Sequence, residues 1–304
     1  MAEIAKMASN KVKRSTGDRV FMFFLYLITG ILTVVALYPM YFILIASVSS
    51  PSAVANGEVV LFPVQPTLQA YQKLMDYSTI WVGYRNTVIY TVLGTFVILA
   101  VNLPAAYALS RKDLVGRRLI NLIYIFPMYF GGGLIPTYMV VKDFGLVDNF
   151  WVMIIPFSVI TYYIIVARTF FTNSLPDGIW EAAQIDGCGN LRFFFSFVLP
   201  LSKAIIAVIA LWAAVGIWNQ YMTALIYLHG VPDLQPLQII LRSILINNQN
   251  MASMMTGSAA QEAQQLAELI KYAVIVVSSL PVMLIYPFVQ KYFNQGVMIG
   301  AVKG

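Results

Sequence analysis

Apolar positions along this 304-residue chain fall into long blocks separated by short charged segments. Six windows run without a formal charge: Val20–Val48, Asn86–Ser110, Leu119–Val141, Asn149–Ala167, Ala204–Leu228 and Tyr272–Gln290. Each is about as long as the ~20 apolar residues a helix needs to cross a bilayer. The pattern predicts six membrane-spanning helices, over about 20–47, 86–110, 119–141, 149–171, 201–228 and 270–290. A seventh charge-free run, Ser243–Gln261, is rich in Asn, Gln, Ser and Thr and reads as loop. The expected class is an all-α membrane protein.

One segment breaks the apolar pattern with an amphipathic helix of its own. In Leu175–Gly187, Pro176 suits the first turn of a helix, where its missing N–H is no loss. Ser174, with Asp177 three residues on, can satisfy free amides at that end. Gly187 and Gly189 permit the backbone that ends a helix. Ile179, Trp180 and Ala183 form an apolar stripe, whereas Asp177, Glu181 and Gln184 follow the spacing of a polar one. The helix is expected to present an acidic face and two small alanines to something outside the bilayer.

The order Glu181-Ala182-Ala183, Asp186-Gly187, Leu199-Pro200 resembles the EAA loop in the membrane subunits of binding-protein-dependent ABC importers. The resemblance runs from about Tyr84 to the C-terminus. It is nearest the sugar-importing branch, through Trp218-Asn219-Gln220-Tyr221 and the tail from Gln290 to Gly304. It implies a type I ABC importer permease fold with a cytosolic coupling helix, in a coupling loop over 172–200. It also implies a second, homologous permease subunit, two copies of a cytosolic ATPase, and an extracytoplasmic solute-binding protein that delivers an oligosaccharide. Glu181 would then contact basic residues of the ATPase, and Ala182 and Ala183 would permit close packing there. Asp186 and Gly187 would complete the coupling motif. ATP and magnesium would sit on the partner, and no cofactor or metal is expected on this chain.

Composition agrees with a membrane class. The chain is 60% hydrophobic and 11% charged, against about 25% charged in soluble proteins. Orientation follows from Lys and Arg, which accumulate in cytoplasmic loops. With the N-terminus inside, only Lys73, Arg85, Lys142, Arg242 and Lys271 of the 19 basic residues fall outside. That choice puts both termini and the Glu181 loop in the cytosol of a bacterial inner membrane. The high pI thus reflects topology, and no basic patch is arranged for nucleic acid.

The organisation is a tail, Met1–Asp18, followed by one permease domain, 19–304. The apolar run after the tail is too long for a cleavable signal core of roughly 7–15 residues. Ser49–Gly83, with Pro51, Pro63 and Pro66, is expected to be an ordered external loop with short helices. Arg111–Arg118 should be a tight cytosolic turn, Lys142–Asp148 a short external one, and Gly230–Ala267 a long external loop. In related sugar permeases the last of these faces the binding protein.

The chain has one cysteine, Cys188, and one histidine, His229, so it supplies no metal cluster and no nucleophile–histidine constellation. It also lacks the glycine-rich phosphate loop of ATPases. None of the six windows holds a charge, which counts against a proton-coupled secondary transporter. A permease for another solute, such as a glycerophosphodiester or an amino-sugar derivative, is the nearer alternative. A phosphate-bearing substrate would favour a basic residue in the pathway, and none is visible in the windows. Polar side chains within spans usually face a cavity or a partner helix. The candidates for the pathway are Tyr129 and Thr137 around Gly131-Gly132-Gly133, Thr161, Tyr162 and Tyr163, and Asn219 and Gln220.

Overall fold

The computed structural model describes residues 15–175, 177–254 and 257–301, and among these every regular element is helical. Most of the expected tail, Met1–Arg14, lies outside the described residues, as do Pro176 and Val302–Gly304. Helix α1, Thr16–Ser47, starts where the Ser15 N–H donates to the Asp18 carboxylate at 3.1 Å. From Val20 to Leu44 its large apolar side chains stand mostly exposed, and only Ile45, Ala46 and Ser47 are buried. Such a face suits lipid, where every backbone group must be paired within the helix. The next segment folds as expected into short helices, α2 (Pro51–Ala55) and α3 (Gln69–Met75).

Helix α4, Ser78–Ser110, is the column around which the rest packs. Ile80, Gly83, Thr87, Tyr90, Gly94, Ile98, Asn102, Ala106 and Leu109 recur every three or four residues and are all buried. This is one continuous stripe of a 3.6-residue helix. Two of its glycines permit close approach. A Cβ on Gly94 would lie 2.7 Å from Ile217 Cδ1, and one on Gly83 would lie 2.9 Å from Leu237 Cα. Polar clamps add direction. The Asn86 amide donates to the carbonyls of Asp233 (2.7 Å) and Gln235 (3.0 Å), and Tyr90 Oη donates to that of Leu234 (2.8 Å). Thr87 Oγ1 accepts from the Leu237 N–H at 2.8 Å.

Three expectations are corrected. The window 119–141 is two helices, α5 (Arg117–Tyr129) and α6 (Leu134–Asp143), with a 117° bend between them. The glycine triplet supplies the break, with Gly133 at φ 86°. The window 149–171 is helical only at its ends, as a 3-10 turn over Phe150–Met153 and then α7, Thr161–Ser174. Between them the chain is held open by Asn102 of α4, whose amide donates to the Ser158 carbonyl (2.7 Å) and accepts from the Ile160 N–H (2.8 Å). A tertiary hydrogen-bond set here outweighs helix propensity.

The third correction concerns the external loop. Within the expected loop Ser243–Gln261, residues 243–254 belong to helix α12, Leu237–Met254, and 258–261 open the last helix. Leu237, Ile240, Leu241 and Ile244 lie at i, i+3, i+4 and i+7 and fill one core with Leu74, Trp218 and Leu269. Asn247, Gln249 and Asn250 stand exposed on the other faces, whereas Asn248 continues the stripe and donates to Tyr77 Oη at 3.4 Å.

The remaining elements follow in order. Helix α8, Asp177–Ile185, leads to α9, Asn190–Phe193, a π-helical turn Phe194–Val198, and the turn Leu199–Leu201. After an 83° bend at Ser202 comes α10, Lys203–Trp218, so the expected helix 201–228 is broken at both ends. Its remainder is α11, Met222–Tyr227. Last is α13, Ser258–Ala301, which begins well before the expected 270. Among the described residues three helices are long and apolar enough to span a membrane, or up to five if each bent pair is one span.

Candidate functional site

The amphipathic helix is where the sequence placed it. On its inner face Ile179, Trp180 and Ala183 join a core with Tyr107, Phe171, Phe193 and Val198. The Trp180 ring meets Phe193 edge-on at 4.9 Å between centroids, and the Arg111 guanidinium lies 4.0 Å from the Trp180 ring centroid. Arg111 also forks onto Asp113, with Nε to Oδ1 at 2.9 Å and Nη2 to Oδ2 at 3.1 Å. That pairing holds the Asp113 carboxyl below the ordinary carboxylate range. Its contribution is present above the unfolded value and is lost as pH falls through the lowered one.

The outer face carries Glu181, Ala182, Gln184 and Asp186, all exposed. One expectation changes here: Ala183 is only 6% exposed and packs against this chain, so Ala182 alone is offered outward. Ser174 proves to be the last residue of α7, and the cap position of α8 falls on Pro176, outside the described residues. The C-terminal end is fully formed. Gly187 adopts φ 73°, its N–H donates to the Gln184 carbonyl (2.9 Å), and the Cys188 N–H donates to that of Ala183 (2.8 Å). This paired closure is the Schellman motif, and it turns the chain into α9. Between α8 and the end of α4 lies a cleft of about 490 Å³, lined by Tyr107, Arg111, Asp113, Trp180, Glu181 and Gln184 among others.

A second cavity, of about 310 Å³, lies among α4, the 154–160 stretch, α7 and α10. Its walls are Ile98, Met153, Ile154, Phe157, Ile160, Ala213, Gly216 and Ile217, with Tyr163 and Gln220 as the polar groups. Trp212 packs at a tilt against Tyr162 (5.6 Å between centroids) and against the lining residue Tyr163 (5.8 Å). Aromatic faces suit the C–H surfaces of a sugar, and an amide suits its hydroxyls. The candidates therefore separate. Gln220 lines the cavity and bonds Thr223 Oγ1, whereas Tyr162 does not line it and packs against Trp212. Asn219 donates to the Val215 carbonyl of its own helix at 2.9 Å. Thr161 Oγ1 donates to the Tyr124 carbonyl, tying α7 to α5. Tyr129 and Thr137 flank the bend after α5 and do not line this cavity; Tyr129 is exposed and Thr137 Oγ1 donates to the Gly133 carbonyl.

Sequence reasoning missed Trp212, although Trp212 and Gly216 at i and i+4 share one face of α10, which ends at Trp218 just before Gln220. It also missed a cation. Arg242 of α12 lies 5.2 Å over the Tyr221 ring, adjacent in sequence to Asn219 and Gln220. His229, expected to be a loop residue, is exposed and lies 3.9 Å from Asp148, whose Oδ1 accepts from the Gly230 N–H at 2.8 Å. Among the described residues no group of His, Cys, Asp and Glu could hold a metal ion.

Comparison with known proteins agrees with this geometry. Residues 5–299 match the family described as binding-protein-dependent transport system inner membrane component. The chain is 38% identical to the polygalacturonan/rhamnogalacturonan transport system permease protein YtcP of Bacillus subtilis, over 94% of this chain and 99% of the relative. It is 37% identical to the protein LplC of the same organism, over the whole of both. A solved structure of a bacterial ABC transporter involved in the import of the acidic polysaccharide alginate superposes with a TM-score of 0.81. That match is 34% identical and covers 92% of this chain and 99% of the other. The chain belongs to the binding-protein-dependent transport system inner membrane components, the membrane subunits of ABC importers.

Proposed function

We propose that this chain is one of two homologous permease subunits in an ATP-driven importer of oligosaccharides, and that those sugars carry carboxylates. The observation that carries the coupling role is α8. Its Trp180 face is locked to the body, while Glu181 and Ala182 stand exposed at the other. A helix so anchored transmits force when a separate ATPase grips its outer face. Glu181 supplies a charge-assisted contact to that ATPase. Movement then passes through the phenylalanines of α9 and the π turn into α10 as a rigid-body switch. ATP and magnesium belong to the ATPase, and the solute arrives on an extracytoplasmic binding protein.

The acidic sugar reading is supported by the names of the relatives and by Arg242 over Tyr221, a cation beside the segment that leads into the aromatic cavity. The 154–160 stretch and α7 together make a sixth crossing. The fourteen helical residues of α7 at ~1.5 Å each cover about 21 Å, and the turns and irregular chain of 154–160 continue the path toward the ~30 Å of a hydrocarbon core. Both termini and α8 lie in the cytosol, following the Lys and Arg bias.

The test is uptake into proteoliposomes carrying the whole complex, with labelled oligogalacturonide and, separately, a neutral maltodextrin. Glu181→Lys is expected to leave the chain in the membrane and to abolish both uptake and substrate-stimulated ATP hydrolysis. Arg242→Gln should lower uptake of the acidic sugar by about tenfold or more, since hydrogen bonds to charged groups contribute ~1.5–3 kcal/mol. Normal uptake with Glu181→Lys would refute the coupling role. Equal transport of the neutral sugar would refute the acidic one.

A further inference from the structure

A separate cavity, of about 820 Å³, lies where α5 begins beside α7. Arg117, Arg118 and Arg168 line it with Asn121 and Leu122, and no carboxylate does. Asn121 organises the wall. Its Oδ1 accepts from Arg168 Nη1 at 2.5 Å, and its Nδ2 donates to the Arg117 carbonyl at 2.8 Å. That bond uses one of the five donors of the Arg168 guanidinium. Like charges lining one cavity repel one another, so an anion among them would be stabilising.

The sequence fixes the height of this cavity in the bilayer. The apolar windows Asn86–Ser110 and Asn149–Ala167 end just before Arg111 and Arg168, and Leu119–Val141 begins just after Arg118. Three apolar blocks therefore stop at the level of the arginines, which is a membrane–water boundary. The cavity shares Lys112 with the α8 cleft and so lies at the same boundary as the coupling helix. Directly along α5 from the arginines, Leu119, Leu122, Ile123 and Phe126 are 60–65% exposed, and no residue of this helix is buried.

We propose that this cavity binds the phosphate headgroup of an anionic glycerophospholipid whose acyl chain lies along the apolar side of α5. Both halves of such a ligand find their match: three guanidinium groups for the phosphate, and an apolar stripe continuous with them for the chain. Arginine forks bind phosphate in two-bond geometry, and basic pockets between helices at a membrane surface bind lipid headgroups.

The test uses the full chain, purified with the subunits that accompany it. It is titrated with phosphatidylglycerol or with phosphatidylcholine of the same acyl chains, and bound lipid is counted by native mass spectrometry. Phosphatidylglycerol should be retained over phosphatidylcholine. Replacing Arg117, Arg118 and Arg168 together by Gln should weaken it by roughly fivefold per charge, on the order of a hundredfold in all. Replacement of the same three by Lys should retain most of the preference. Removing three cations elsewhere, by Arg19→Gln, Arg192→Gln and Lys203→Gln, should leave it unchanged. Equal binding of the two lipids, or equal loss in the control triple, would overturn the site. So would a cavity triple that sheds the accompanying ATPase with lipid retention intact, which would assign this face to a protein. Binding of inorganic phosphate with no lipid preference would leave an anion site and overturn the lipid. Detergent solution exposes both faces, so the result does not depend on the orientation or substrate proposed above.

Discussion

Asn102→Leu is the substitution whose cost follows most directly from the structure. Leu is close to Asn in size and is the ordinary residue of a span, so by composition alone the change should be harmless or favourable. Asn102 is 0% exposed, however, and its amide makes three hydrogen bonds: to the carbonyls of Ile98 (2.6 Å) and Ser158 (2.7 Å), and from the Ile160 N–H (2.8 Å). The Ile98 carbonyl keeps its own backbone partner in α4. The Ser158 carbonyl and Ile160 N–H belong to a stretch with no helical ladder to fall back on. An unpaired buried polar group costs about 1–3 kcal/mol, so the two together should cost about 2–6 kcal/mol. Exchanging a single interhelical bond in a membrane averages only ~0.6 kcal/mol, because the released groups find other partners. The predicted loss is several times that value for the stated reason.

The assay is equilibrium unfolding in mixed micelles, followed by thiol labelling of Cys188, which is half-buried in the folded chain. Val101→Leu, one residue away on a side chain 39% exposed, serves as the comparison and should be near neutral. Ile98 and Ile160 also wall the aromatic cavity, so Asn102→Leu should depress uptake while the complex still assembles. A loss below about 1 kcal/mol with uptake unchanged would refute the reasoning, since the 154–160 stretch would then hold its shape without the clamp.

Gly187→Ala meets no neighbouring atom, so its cost is the left-handed backbone alone, about 1–2 kcal/mol; it should loosen α8 and lower ATPase stimulation, and unchanged stimulation would count against the turn's role. Trp212→Ala removes the ring packed against Tyr162 and Tyr163 and should raise the half-saturating sugar concentration with ATPase association intact, as read by uptake and co-purification. In a Cys188→Ser background, an impermeant thiol reagent should label Asn250→Cys from outside and Gln184→Cys only from inside, both positions being exposed; reversed labelling would invert the topology.

Legibility in the sequence tracked how local each cause is. Helix α8 was readable because its stripe, its stop and its charges all lie within Leu175–Cys188. The break at Gly131–Gly133 was visible as a motif, but its 117° angle depends on what α5 and α6 pack against. Helix α12 was misread because the charge-free run begins at Ser243, so its apolar period at 237, 240, 241 and 244 was divided between two segments. The polar composition of the rest then outweighed a pattern that had been cut in half. Asn102 sits 56 residues from Ser158 and Asn86 147 residues from Asp233, and nothing near any of the four announces its partner.

Those distant bonds bear on the transport reading. Asn86, Thr87 and Tyr90 fasten one end of α4 to the 233–237 segment, Asn102 fastens its middle to the wall of the aromatic cavity, and Arg111 fastens its far end to Trp180 of the coupling helix. A helix of 33 residues held at three levels resists bending between them. Under the proposed function, displacement of α8 by an ATPase would therefore reach the cavity wall as movement of a whole column, and the same column would carry it to the 233–237 segment at the opposite end. Weakening the middle clamp should then uncouple ATP hydrolysis from uptake, whereas weakening the Trp180 contact should reduce both.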